Sequence, residues 1–255
     1  MFSSYPGYLE SLDDFYVMDS GLAMLQTTNG IPNATLYDLV TPYSLFAWQR
    51  VAIAYLIGED WYSYVSRENS GTYNNQYMVI NYGSFTPNEP LPDNMLWVVE
   101  QIPGLVAGQD MTNILRRGYF ASYDKSGYPA MVEAMGVNNS YDLAPRARIF
   151  RRDANNVLTF EEYKSILRYN NYQVDPIEND SPMWAICSRG DLLKEGASPF
   201  GCYDSKASNY SMILNMQAEI INGPTYDDLP PFDWSDWPTI PHAGINTLMQ
   251  YPWIL

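Results

Sequence analysis

This sequence predicts a mixed α+β fold built around a sheet covered on both faces. Two patterns carry that expectation. Within residues 73–82, apolar side chains fall on both parities, Tyr77 and Val79 on one and Met78 and Ile80 on the other, so this strand needs layers above and below it. Ahead of it, Leu45, Trp48, Ala52, Tyr55 and Leu56 recur at helical spacing behind Thr41-Pro42, an N-cap followed by proline at the first helical position. The 255 residues are 46% hydrophobic and 17% charged, with 22 Tyr and 7 Trp, which implies a folded chain with an aromatic-rich core. Residues 1–255 read as one domain.

Taken in order, residues 1–29 read as strands, with Phe15 to Leu25 nearly continuous in apolar and aromatic residues and broken by Asp19-Ser20-Gly21, which suits a strand buried on both faces. The helix behind Thr41-Pro42 runs to Gly58. Trp61, Tyr62 and Val65 extend it until Asn69-Ser70-Gly71 breaks the pattern. Pro87, Pro90 and Pro92 make the next loop, Leu96–Ile102 is a strand, and Pro103-Gly104 turns the chain. Thr159-Phe160-Glu161-Glu162 is a capping box, with Leu158 and Tyr163 placed as a hydrophobic staple, so a helix is expected over 160–169. Residues 224–241 read as ordered, Trp- and Pro-rich loop. No internal repeat and no linker stands out.

Charge excludes one class of partner. The 14 Lys+Arg against 29 Asp+Glu give a net charge of −15, which repels polyanions and argues against nucleic-acid binding, while suiting an acidic compartment. No apolar run approaches the roughly 18 residues of a membrane span, and the opening Met1-Phe2-Ser3-Ser4 is not a secretory signal. Sequons nevertheless occur at Asn33, Asn138, Asn179 and Asn209. Either they are chance in a cytosolic protein, or the protein is secretory and its signal lies upstream. Cys187 and Cys202 follow the same fork: bridged in an oxidising compartment, ordinary thiols in the cytosol.

Few residues point directly to chemistry. The single histidine, His242, has no second histidine or nearby cysteine to make a metal site or a Cys-His pair, and reads as a loop residue. No G-x-S-x-G elbow, phosphate loop or Cys-x-x-Cys is present. Nine of the 14 basic residues lie between Arg116 and Arg168; such a cluster either holds an anionic group through guanidinium forks or pairs internally with the many carboxylates. Asn74-Asn75 stands at the start of the doubly covered strand. Side-chain amides there either cap the turn or serve as oxyanion donors, because a held N–H dipole meets negative charge developing on an attacked carbonyl.

Six blocks resemble the phospholipase B-like (lamina ancestor) family. They are Ser4-Tyr5-Pro6-Gly7-Tyr8-Leu9-Glu10-Ser11-Leu12-Asp13-Asp14-Phe15-Tyr16, Ser70-Gly71-Thr72-Tyr73-Asn74-Asn75-Gln76, Trp97-Val98-Val99-Glu100-Gln101-Ile102-Pro103-Gly104, Leu115-Arg116-Arg117-Gly118-Tyr119, Ser140-Tyr141-Asp142-Leu143-Ala144-Pro145-Arg146 and Arg168-Tyr169-Asn170-Asn171-Tyr172. Gly201-Cys202-Tyr203-Asp204 and the closing Ile254-Leu255 fit later blocks, so the resemblance spans nearly the whole chain in order.

The resemblance implies a layered αββα sandwich of the N-terminal-nucleophile hydrolase type, incomplete at its N-terminus here, in a lysosomal or secreted protein. It further implies autocleavage that exposes an N-terminal cysteine, which the family carries upstream of the Ser-Tyr-Pro-Gly block. That nucleophile has no counterpart in this chain, and Ser3 and Ser4 do not replace it. The N-terminal segment of the same precursor is therefore the expected partner. Asn74 and Asn75 carry over as oxyanion and substrate donors, and Arg116 and Arg117 as polar or anion contacts. The implied reaction is acyl transfer from a phospholipid or other acylated small molecule, without metal or organic cofactor. Secretion would bridge Cys187 to Cys202 and glycosylate Asn33, Asn138 and Asn209. The alternatives are a catalytically inactive lipid- or protein-binding remnant and a fragmentary gene product.

Overall fold

The computed structural model describes residues 1–3, 6, 14–41, 58–137, 141–244 and 247–255. The body of the helix read behind Thr41-Pro42 and the sequon at Asn138 lie outside the described residues. The chain divides into two compact units, Met1–Tyr141 and Asp142–Leu255.

In the first unit, β1 (Phe15–Val17), β2 (Leu22–Thr28), β3 (Asn75–Asn81), β4 (Leu96–Ile102) and β5 (Leu105–Asp110) form an antiparallel sheet in chain order. Asp19-Ser20-Gly21 makes the β1–β2 turn and Pro103-Gly104 the β4–β5 turn, where the sequence places its breaks. β5 is a strand the sequence reading does not name. Alternation along β3 sends Tyr77 and Val79 to one face, where Met24 and Val99 join Trp61 and Val65 of α1 (Gly58–Ser66). Trp61 and Tyr77 stack at a tilt with centroids 5.2 Å apart, a contact worth roughly 0.5–1.5 kcal/mol beyond the burial of the two rings. Met78 goes to the other face with Leu96 and Val98, against Leu115 of α2 (Thr112–Leu115) and Phe120. Both faces of β3 are thus buried, which is why its apolar residues fall on both parities. Beyond β5, α3 (Pro129–Met135) opens on proline and ends at Gly136, whose φ of 66° supplies the left-handed cap. Its Met131 and Met135 pack on Ile102.

The second unit has much less regular structure. It contains α4 (Pro145–Asp153), α5 (Phe160–Leu167), the strand pair β6 (Asp204–Ala207) and β7 (Glu219–Asn222) flanking α6 (Tyr210–Leu214), and the short pair β8 (Phe232–Asp233) and β9 (Leu248–Met249). The capping box of α5 forms as read: Thr159 Oγ1 accepts from the Glu162 N–H at 3.2 Å, and Glu162 Oε2 accepts from the Thr159 N–H at 2.8 Å. The hydrophobic staple does not form. Leu158 is 85% exposed, and its N–H is also drawn to Glu162 Oε2. Cys187 and Cys202 are bridged, closing a loop for which chain entropy alone gives roughly 3 kcal/mol of stabilisation. His242 is a loop residue stacked on the Trp234 ring at 4.3 Å. No helix among the described residues is long and apolar enough to cross a membrane.

Candidate active site

Three neighbouring strands of the first unit bring their polar residues to the same end of the sheet. The C-terminal end of β2 contributes Thr27 and Thr28, the N-terminal end of β3 contributes Asn75 and Gln76, and the C-terminal end of β4 contributes Glu100 and Gln101. Asn29 continues β2 by donating its N–H to the Asn74 carbonyl at 2.8 Å. The middle of each strand is mainly apolar, so burial there needs few partners. At this end every side chain needs them.

On one face, the fully buried Glu100 carboxylate accepts from Gln76 Nε2 at 2.6 Å, from the Gly127 N–H at 2.6 Å and from the Ser126 hydroxyl. Tyr141 donates to Gln76 Oε1 at 3.4 Å and to the Ala121 carbonyl, while the Thr27 and Ser122 hydroxyls bond each other. These contacts pin residues 121–128 to the sheet and satisfy the acid.

The segment entering β3 is shaped by two backbone constraints. Gly71, at φ 76°, passes so near Pro103 that a Cβ would sit 2.8 Å from the proline Cα, and Tyr73 holds a left-handed φ of 50°, which costs a non-glycine residue roughly 1–2 kcal/mol. Tyr73 donates to Asp14 Oδ1 at 2.7 Å; partial burial and that carboxylate raise its phenol above the ordinary range. Buried Asn74 follows, its Oδ1 facing Gln101 Nε2 at 3.4 Å.

Asn75 is 0% exposed, and neither its Oδ1 nor its Nδ2 has a hydrogen-bond partner among the described residues. Both polar atoms of Asn29 are likewise buried and unpartnered. An unmade bond at a buried polar group costs roughly 1–3 kcal/mol, and four such atoms lie within one sheet end. Asn75 therefore caps no turn. Its carboxamide has a donor and an acceptor to give.

Arg116 and Arg117 are not brought to the amide pair. They follow the far end of β5, roughly 16 Å along the sheet from Asn75 by strand rise. Both are exposed, and the Arg116 guanidinium bonds Asp93 at 2.7 Å, Asn113 at 2.7 Å and the Leu91 carbonyl at 2.8 Å. Most of the basic residues read as a cluster are likewise engaged internally: Arg152 with Asp153 and Asp175, and Lys164 with Glu161 and Glu219. In the second unit a small, open cleft lies beside Phe200, Tyr203, Phe232, Trp234 and Met249. Its charged pair, Arg189 and Asp191, is bonded to itself at 2.6 Å.

Of the sequons, Asn209 is exposed and among the described residues its side chain is bonded through Oδ1, which caps α6. Asn33 is half-buried and donates its amide nitrogen to the Ala134 carbonyl at 3.3 Å.

Sequence reasoning singles out Asn74 and Asn75 but misses Asn29, Gln76, Glu100 and Gln101. The signal for them was present as polar residues at the tips of otherwise apolar strands. Only the register shows that those tips coincide.

Fold and site together define an α+β protein whose main sheet ends in a buried polar site with unfilled hydrogen-bonding capacity. The chain belongs to the phospholipase B family, which it matches over residues 1–255. It is similar to Phospholipase B-like 1 of Rattus norvegicus, 47% identical over 266 residues that cover 99% of this chain and 48% of the relative. Phospholipase B of Crotalus adamanteus is 46% identical over 266 residues, again 99% and 48% of the two chains. Phospholipase B-like protein B of Dictyostelium discoideum is 39% identical over 272 residues, 100% and 48%. The chain spans about half the length of the curated relatives it matches.

Proposed function

We propose that this chain is the C-terminal part of a phospholipase B-like acyl hydrolase, forming one wall of an αββα sandwich completed by another segment of the same precursor. That segment carries the N-terminal cysteine. Its thiolate attacks the ester or amide carbonyl of a phospholipid or similar acylated molecule, and the carbonyl electrons move to oxygen. Asn75, assisted by Asn74, donates to that oxyanion. The cysteine's own α-amino group passes the proton to the leaving group, and water then attacks the thioester to release the acid. Arg116 and Arg117 lie outside this step.

The observation that carries the reading is the fully buried Asn75 carboxamide, neither of whose polar atoms is bonded by a described residue. A turn cap would be satisfied in the free protein; an oxyanion donor is satisfied only when the reacting centre arrives. In the processed full-length protein, Asn75→Ala is expected to lower kcat by roughly a hundredfold or more with KM little changed, and to leave stability nearly unaltered, because no bond is lost on folding. Wild-type turnover per folded molecule, together with a loss of roughly 1 kcal/mol in denaturant unfolding, would remove Asn75 from the site.

We also place the protein in a secretory or lysosomal compartment. The Cys187–Cys202 bridge and the open amide nitrogen of Asn209 support that assignment. Mass spectrometry of secreted material showing free thiols and no glycan at Asn138 or Asn209 would point to the cytosol instead.

A further inference from the structure

Gln101 is buried at 0% exposure on β4, yet its carboxamide belongs to a chain of hydrogen bonds rather than to the apolar core around it. The chain is anchored at both ends by main-chain carbonyls, which can only accept. At one end Asn69 Nδ2 faces the Val65 carbonyl at 3.2 Å, while Asn69 Oδ1 accepts from the Gly71 N–H at 2.9 Å. At the other, Gln101 faces the Thr72 carbonyl at 2.8 Å, so the Gln101 atom there must be Nε2. The remaining contacts agree: Gln101 Oε1 accepts from Asn69 Nδ2 at 2.9 Å and from the Tyr77 hydroxyl at 3.4 Å.

With Gln101 fixed in this sense, the Asn74 atom facing Nε2 at 3.4 Å must be the oxygen. The Asn74 carboxamide then has one rotational choice, and its Nδ2, which bonds no described residue, is the end left to serve a ligand. A carboxamide free to flip would present acceptor and donor alternately, and an acceptor facing an oxyanion repels it.

We infer that Gln101 is a positioning residue that holds the Asn74 carboxamide with its N–H donor turned toward the reacting carbonyl oxygen. The inference rests on the acyl-transfer reading for its catalytic consequence, but its geometric content stands on the hydrogen bonds alone. Asn69, Gly71 and Thr72 enter as the parts that set the sense of the relay, which gives the loop between α1 and β3 a task beyond closing a turn.

Gln101→Glu keeps the shape of the side chain and replaces its donor with a second acceptor, so Asn74 gains by flipping. In the processed full-length protein it should lower kcat by roughly tenfold to a hundredfold, with KM held within about twofold. Asn74→Ala added to Gln101→Glu should lower kcat no further, because both changes remove the same donor. A Gln101→Glu effect that multiplies with that of Asn74→Ala, or wild-type kcat per folded molecule, would overturn the assignment. Should the variant not fold, the wild-type protein decides. In a sample labelled at asparagine and glutamine, the Gln101 side-chain amide protons are expected to exchange slowly with solvent and those of Asn74 quickly; the opposite pattern refutes the orientation. A wild-type protein inactive on every acyl substrate would sink the acyl-transfer reading, and the exchange pattern, which needs no turnover, would still uphold or reject the relay.

Discussion

Buried polar groups mean different things in the two units. In the first, they are mainly carboxamides and one carboxylate at the end of a regular sheet, where the ladder already satisfies the backbone. In the second, they include guanidinium and carboxylate groups inside loops. Arg189, 1% exposed, donates to the Thr225 carbonyl at 2.6 Å, the Pro230 carbonyl at 2.8 Å and both oxygens of Asp191. Arg168 donates to the Gly223 and Pro224 carbonyls at 3.1 and 2.9 Å and lies over the Tyr226 ring. Irregular backbone cannot bond to itself, and an arginine with five donors in a fixed fork is the side chain best suited to collect its carbonyls. A buried cation there has a structural task. A buried carboxamide left over where the backbone is complete has none, and that makes Asn75 informative.

The largest difference between the units is expected at Arg189. Arg189→Met leaves Asp191 without its partner and two loop carbonyls without donors, and is expected to cost roughly 3–5 kcal/mol in denaturant unfolding. Arg189→Lys should recover only part of this, since an ammonium cannot span Asp191 and the carbonyls together. A loss below about 1 kcal/mol would mean that the loops of the second unit are satisfied by other means.

A second, smaller effect distinguishes the units by pH. Glu178 is fully buried, and burial pushes its carboxyl up to about 7; the Asn171 N–H opposes the shift, Asp175 adds to it, and Arg152 opposes it. A carboxyl whose folded pKa lies above its ordinary value of 4.5 binds more protons folded than unfolded between those limits. Stability from this group is therefore full below about 4.5 and is lost as pH rises through 7, a swing of about 1–3 kcal/mol. Asp175 and Asp110, held below the ordinary carboxylate range despite burial, act in the opposite sense but only at lower pH, where they would protonate. Unfolding curves at pH 5 and pH 7.5 should show wild type losing stability and Glu178→Gln losing little. Equal slopes for the two proteins would mean that Glu178 stays ionised.

What the sequence made legible follows the same division. β1, β2, β3 and β4 stand where their apolar runs and breakers put them, since a sheet buried on both faces writes itself into consecutive residues. The Asn74-Asn75 pair was visible because it stands at the start of such a run. Gln101 was not, although its block was part of the family resemblance, because its meaning depends on lying beside Asn74 across a strand pairing that no local pattern records. Arg189 was equally silent: beyond neighbouring Asp191, its partners are carbonyls 36 and 41 residues away, contributed by backbone of any sequence. Leu158 shows the converse, a local motif read correctly for spacing whose packing half depends on what else reaches that surface.

The smallest expected effect sets a cap beside a carboxamide that caps nothing. Thr159 in the second unit accepts from the Glu162 N–H through its Oγ1, and its own N–H donates back to the Glu162 carboxylate, both at an exposed helix end. Thr159→Ala removes one side of that exchange and should lower stability by about 1 kcal/mol, while leaving kcat per folded molecule unchanged. Asn75→Ala should do the reverse, because its amide makes no bond that folding requires and is available to the charge formed during reaction. The two variants read together test the contrast between units more sharply than either alone. If both lose stability and neither changes turnover, Asn75 is a structural residue like Thr159, and the polar sheet end has no part in acyl transfer.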